Sequence, residues 1–168
     1  MKKQFVTLAV ALALISGGGV VLAEHSPGQM EGHHQSPGAT NESIHADVKK
    51  HQACSHCGMD RGKFAASRVL VSYTDGSSAG MCSVHCTATE LKANKGKAVR
   101  VIEAADLNTK ALVDVEKAAW VIGGSRKGVM TRTAKWAFAL KDDAVAFIKK
   151  NGGKLATYKE VMMLVEKD

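Results

Sequence analysis

Arg68-Val69-Leu70-Val71-Ser72-Tyr73-Thr74-Asp75-Gly76-Ser77-Ser78-Ala79-Gly80-Met81-Cys82-Ser83-Val84-His85-Cys86 sets the fold class of this chain. Val69, Val71 and Tyr73 alternate with Arg68, Leu70 and Ser72, the period-2 pattern of a strand. Thr74-Asp75-Gly76-Ser77 supplies an Asp-Gly hairpin turn, and a short return strand runs to Cys82. Ser83 is placed to cap a helix through about Asn94, and Gly96 stops it. Residues 98–102 read as the next strand. The unit is ββαβ, an α+β arrangement.

A similar order recurs downstream. Strands are expected at 112–115, 119–122 and 135–140, then a helix through about Lys150 closed by Asn151-Gly152-Gly153. A shift of 57 residues places Gly153-Lys154 on Gly96-Lys97, Ala139 on Cys82 and Asp143 on Cys86. The second half therefore reads as a degenerate copy without cysteine pairs. Thr157-x-x-Glu160 is a capping box that starts a short terminal helix. The expected domain spans 51–168, with repeat one at about 51–105 and repeat two at about 106–168.

The N-terminal region differs in kind. Lys2 and Lys3 precede an apolar run over residues 5–15, then Gly17-Gly18-Gly19 and Val21-Leu22-Ala23. A charged start, an apolar stretch and small residues at its end read as a signal peptide over 1–23. The apolar run is too short to span a membrane comfortably, so no span is expected after cleavage. The expected location is the periplasm or another exported compartment. Residues 24–50 hold both prolines and almost nothing apolar to bury, and are expected to form a disordered arm. Of the seven histidines, His25, His33, His34, His45 and His51 lie in or next to this arm. Such tracts bind metal weakly, or serve as hydrophilic linkers.

The formal net charge is +7. The excess is spread over Lys49, Lys50, Arg61, Lys63, Lys92, Lys95, Lys97, Lys149 and Lys150, with no aromatic interleaving and no basic helix face. That pattern excludes a nucleic-acid interface and reads as solvated surface.

The chemistry is concentrated in four cysteines, Cys54-x2-Cys57 and Cys82-x3-Cys86, with no others in the chain. The first pair precedes the hairpin; the second straddles the end of the hairpin and the first turn of its helix. This is a treble-clef-like layout, in which a knuckle faces a helix N-terminus whose free N–H groups stabilise thiolates. Two pairs at this spacing suit a metal or redox site. Four thiolates favour Zn(II) in a closed structural site, whereas thiolates mixed with thioethers favour Cu(I). Met59 follows Cys57-Gly58 and Met81 precedes Cys82, which points toward copper, although a buried Met is also ordinary core filler. His56 and His85 lie inside the pairs as further candidates, and Asp60 is a poor donor to a soft ion. Export also permits two structural disulfides, and four cysteines allow three pairings.

Several of these elements resemble one known family. Cys57-Gly58-Met59 is similar to the copper-binding motif of the nitrous oxide reductase accessory family, NosL. So are Ala119-Trp120-Val121-Ile122-Gly123-Gly124, Gly128-Val129-Met130-Thr131, Trp136-Ala137-Phe138 and the Phe147 helix ending in Asn151-Gly152-Gly153, in that order. The match covers about residues 51–165. The Cys82-x3-Cys86 pair is also similar to the TRASH type of metal-handling domain.

The NosL resemblance implies two ββαβ repeats, in a fold similar to that of the organomercurial lyase. It implies an exported Cu(I) metallochaperone and not an enzyme, with Cys57 and Met59 as ligands and Met130 contributed by the second half. The expected metal set is Cys54, Cys57, Met59, Cys82, Cys86 and Met130. The expected partners are a periplasmic cuproenzyme, by resemblance nitrous oxide reductase, or a copper-donor protein. Two alternatives stay open: a structural Zn(II) module of a sensor or interaction protein, and a thiol–disulfide redox protein using Cys54-x2-Cys57.

Overall fold

A computed structural model describes residues 41–167. The expected signal peptide at 1–23 and most of the expected arm lie outside these residues. The last ten arm residues do not behave as expected: Asn41–Lys50 form helix α1. The correction has a physical cause. Asp47 is 8% exposed and lies between two buried arginines, so a charged anchor replaces the apolar face that the sequence lacks.

The first repeat follows the expected plan. β1 (Val69–Tyr73) pairs antiparallel with β2 (Ser78–Met81), with Val69 opposite Met81 and Val71 opposite Ala79. The turn works through Asp75, whose carboxylate accepts from the Ser77 amide at 2.8 Å, and through Gly76 at φ 83. Helix α2 (Val84–Ala93) follows, and β3 (Val99–Ala105) returns antiparallel along the other side of β1. Ser83 occupies the N-cap position, but its side chain makes no cap hydrogen bond.

β4 (Leu112–Asp114) was expected to open repeat two. It instead pairs with β3, so the first sheet has the order β2-β1-β3-β4. A tight return at 106–111 makes this possible. The Asp106 amide donates to Ala111 O, and Lys110 adopts φ 66. The first sheet therefore extends past the expected boundary at 105.

The second repeat runs β5 (Ala119–Ile122), β6 (Lys135–Phe138), α3 (Lys141–Asn151) and β7 (Lys154–Ala156), with sheet order β6-β5-β7. Its pairings are antiparallel, as in the first repeat. The 57-residue shift lays β2 on β6 and the start of α2 on the start of α3. It fails at β5, because the β5–β6 connection is much longer than the β1–β2 turn. Gly124 and Gly153 let the two glycine pairs touch. A Cβ on Gly124 would come within 2.8 Å of Gly152 O, and one on Gly153 within 2.9 Å of Ile122 O.

α4 (Tyr158–Val165) starts at the expected capping box: Thr157 Oγ1 accepts from the Glu160 amide, and Glu160 Oε2 from the Thr157 amide. Two clusters form the core. Val121, Trp136, Phe138 and Phe147 pack within the second repeat. Trp120 does not join them, but packs with Tyr158, Val161, Val69, Val71 and three cysteines in the larger cluster. Asp106 ties the repeats: its Oδ2 accepts from the Ala139 amide at 2.7 Å, while Leu107 N donates to Ala137 O at 2.8 Å. Among the described residues, no helix is long and apolar enough to cross a membrane.

Candidate metal centre

The first cysteine pair sits on a knuckle closed by its own backbone. The Cys54 amide donates to Met59 O at 2.8 Å, and the Gly58 amide to Cys54 O at 2.9 Å. Gly58 takes φ 75, a conformation that costs glycine little. Ala53 and Asp60 form a bridge behind the knuckle. The knuckle is joined to β2 by the Ser55 amide, which donates to Gly80 O at 2.9 Å. Asp60 is occupied locally, accepting from the Gly62 and Lys63 amides. The second pair is placed by β2 and α2. Cys82 follows the last β2 residue, and Cys86 lies in the first turn of α2.

These elements bring all four sulfurs within 4.8 Å of one another. Cys57 Sγ lies 3.5 Å from Cys82 Sγ and 3.7 Å from Cys86 Sγ, and Cys82 Sγ lies 3.6 Å from Cys86 Sγ. Four thiolates bound tetrahedrally at about 2.3 Å from one ion would be about 3.8 Å apart. The sulfurs therefore match a single-ion site. All four cysteines are free, in contrast to the two-disulfide reading. Cys54, Cys82 and Cys86 are buried, and Cys57 is exposed.

The sulfur contacts and burial shift the thiols in opposite directions. Across a thiol–thiol contact either sulfur can hold the proton. The contact with Cys86 is the largest influence and favours the thiolate on Cys82; the Cys57 and Ser83 contacts add to it. Burial opposes them but loses, and the Cys82 thiol is pulled down to about 5. Cys86 is pushed well up, first by sharing a proton with Cys82 and then by burial. Cys57 is also raised, chiefly by burial.

The other expected ligands are placed differently. Met59 is half-buried on the knuckle and packs against the larger core cluster. Met81 is fully buried in that cluster, as core filler would be. Met130 is 45% exposed on the β5–β6 connection at φ 55. His56 is exposed on the knuckle. His85, in the first turn of α2, has its Nδ1 buried without a hydrogen-bond partner. The redox reading needs a cysteine pair opening a helix, yet Cys54-x2-Cys57 lies on a knuckle and the helix belongs to the other pair.

Sequence reading missed the charged support of the site. The sequence pattern places Arg61 with the solvated basic surface, but it and Arg68 are 0% exposed. Asp47 Oδ2 lies 2.7 Å from Arg61 Nη2 and 2.9 Å from Arg68 Nε. Burial alone would raise the Asp47 carboxyl; the two guanidinium groups outweigh it and hold the carboxyl below its usual range. The one available signal was position, since Arg61 directly follows the knuckle. An open groove of about 540 Å³, lined by Val48, Lys49, Gln52, Ala53, Gly58 and Asp60, separates α1 from the knuckle.

The profile of the family described as NosL matches residues 45–165. A solved structure, that of the copper chaperone NosL from Shewanella denitrificans, is similar with a TM-score of 0.50 and 24% sequence identity. That alignment covers 64% of this chain and 87% of the other. A comparison with curated proteins returned no match.

Proposed function

The chain belongs to the NosL family, and from that premise we propose that it is an exported chaperone that binds Cu(I) at its cysteine cluster and passes it to a cuproenzyme. The observation that carries this reading is the cluster itself: four free sulfurs within 4.8 Å, three of them buried and one exposed. Buried thiolates hold a soft ion and exclude water. An exposed fourth ligand gives an incoming donor a place to attack and exchange. The name of the similar structure, a copper chaperone, supports copper as cargo. The chain is then a binding and transfer protein and not an enzyme.

The recipient that family resemblance suggests is nitrous oxide reductase in the periplasm. The groove beside Gly58 leaves room for a partner segment next to the exposed thiol. Met59, adjacent to the knuckle glycine, would add a thioether to the thiolate set, and Met130 is proposed as a donor from the second repeat. Cu(I) prefers this mixture of soft donors.

A second reading rests on one specific observation. The separations among Cys57, Cys82 and Cys86, 3.5 to 3.7 Å, lie close to those of a closed tetrahedral thiolate site, which suits structural Zn(II). Competition separates the two. Reduced full-length protein is offered equal Cu(I) and Zn(II) in the presence of a Cu(I) chelator, and bound metal is measured. About one Cu(I) per chain is expected. Retention of Zn(II) alone would replace the chaperone reading with the structural one.

A further inference from the structure

The two cysteine pairs come from separate segments, and metal-free protein must hold them together without an ion. The thiol contacts between the pairs are weak hydrogen bonds. One side chain supplies a stronger brace. Arg61 Nε donates to Met81 O at 3.1 Å; Nη1 donates to Asp47 O at 3.0 Å and His51 O at 2.7 Å; Nη2 donates to Asp47 Oδ2 at 2.7 Å and Val69 O at 3.2 Å. These bonds use all five guanidinium N–H donors.

The acceptors straddle the site. Met81 directly precedes Cys82, His51 lies three residues before Cys54, and Val69 is opposite Met81 in the hairpin. The Arg61 amide also donates to Gln52 O at 2.9 Å, closing the base of the knuckle. The chain makes room for this guanidinium. A Cβ on Gly80 would lie 2.7 Å from Arg61 Cζ and 2.5 Å from His51 Cβ. The structure assigns Arg61 as the positioning residue that holds the knuckle pair in register with the hairpin–helix pair before metal arrives. This rests on the cluster being a metal site, but not on the metal being copper. Its consequence for transfer is direct: an ion can leave without the knuckle drifting from Cys82 and Cys86, so the emptied site remains ready to reload.

The test uses full-length reduced protein and Cd(II), whose thiolate charge-transfer absorption counts bound sulfurs whatever the native cargo. Wild type is expected to bind Cd(II) through four thiolates. Arg61→Met, measured well below its melting temperature, is expected to bind about tenfold more weakly or worse and through fewer thiolates, the scale of effect seen when the supports of ligands are removed. Arg61→Lys is expected not to restore the count, because an ammonium has three donors for five acceptors and lacks the planar fork. Gly80→Ala, which displaces the guanidinium without removing its charge, is expected to act in the same direction and covers the case in which Arg61→Met fails to fold. Four-thiolate Cd(II) binding at wild-type affinity in folded Arg61→Met, or in Gly80→Ala, overturns the assignment. Loss of Cu(I) selectivity with the Cd(II) pattern as expected would overturn the copper reading and leave Arg61 in place.

Discussion

Cys57 Sγ, on an exposed knuckle, lies 3.5 Å from Cys82 Sγ, buried where β2 meets α2. The site thus has an accessible ligand in contact with a buried one. A ligand at the surface can be exchanged stepwise while the buried ones keep their hold. This asymmetry separates the effects of substitutions on binding from those on folding.

Cys57→Ser removes an exposed thiol, so metal-free stability should change by less than about 0.5 kcal/mol. Its Cu(I) affinity should fall at least about tenfold, a loss of about 1.4 kcal/mol or more. Cys86→Ser places a hydroxyl at a fully buried position and should also lower the stability of the metal-free protein by about 1–3 kcal/mol. Thermal denaturation and chelator competition measure the two effects. Equal stability losses in both variants would contradict the asymmetry.

Met59 packs against the core and also follows the knuckle glycine. Leucine preserves most of its volume, so Met59→Leu should cost less than about 1.5 kcal/mol of stability. If the thioether binds copper, Cu(I) affinity falls measurably, though less than in Cys57→Ser. Unchanged affinity with a lower melting temperature would identify Met59 as packing alone.

Asp47 anchors α1 through two guanidinium groups, and its carboxyl is held below the ordinary 3.8. Asp47→Asn leaves both arginines buried without that anion and should cost about 3–5 kcal/mol near neutral pH. The pH dependence has a definite sign. The depressed native value means that the carboxylate contribution is complete above about 3.8 and is lost as pH falls through the folded value. Denaturant unfolding should therefore show a constant gap between wild type and variant from pH 7 to 5, narrowing below about pH 3.8. A gap that already closes between pH 7 and 5 would rule Asp47 out as the source.

Gly153 adopts φ 97, and its hydrogen points at Ile122 O. Gly153→Ala adds both a strained backbone and a contact that is too close, and should destabilise the protein by about 1–3 kcal/mol. Cu(I) affinity of the folded variant should fall less than in Cys57→Ser, because the second repeat's sheet holds no cysteine and the repeat offers the Met130 thioether from its β5–β6 connection. A matching loss of affinity would show that the two repeats are coupled through the site.

Local pattern made much of the fold legible. The alternation at Val69, Val71 and Tyr73, the Asp75-Gly76 turn and the Thr157–Glu160 capping box all depend on near neighbours, and each forms where expected. The 57-residue relation held at β6 and α3 because hairpin and helix recur there in sequence order. The pairing of β4 is not legible because nothing within 112–114 states which sheet edge will accept it; the choice depends on the turn after Asp106. Residues 41–50 read as disordered because composition counts apolar groups, whereas α1 is anchored by the Asp47 carboxylate and by its backbone carbonyl, which accepts from Arg61 Nη1.

By itself, the sequence determined the ββαβ plan, the two cysteine pairs and their placement on a knuckle and a helix start, since spacing and turn chemistry act over a few residues. Only the tertiary structure decided that the four sulfurs meet, that Cys57 alone of the four stays exposed, and that Arg61 and Arg68 are buried around Asp47. Those facts depend on groups far apart in the chain sharing one small volume. There, burial and mutual contact decide which thiols touch and which arginines are ion-paired, and neither is written in local pattern.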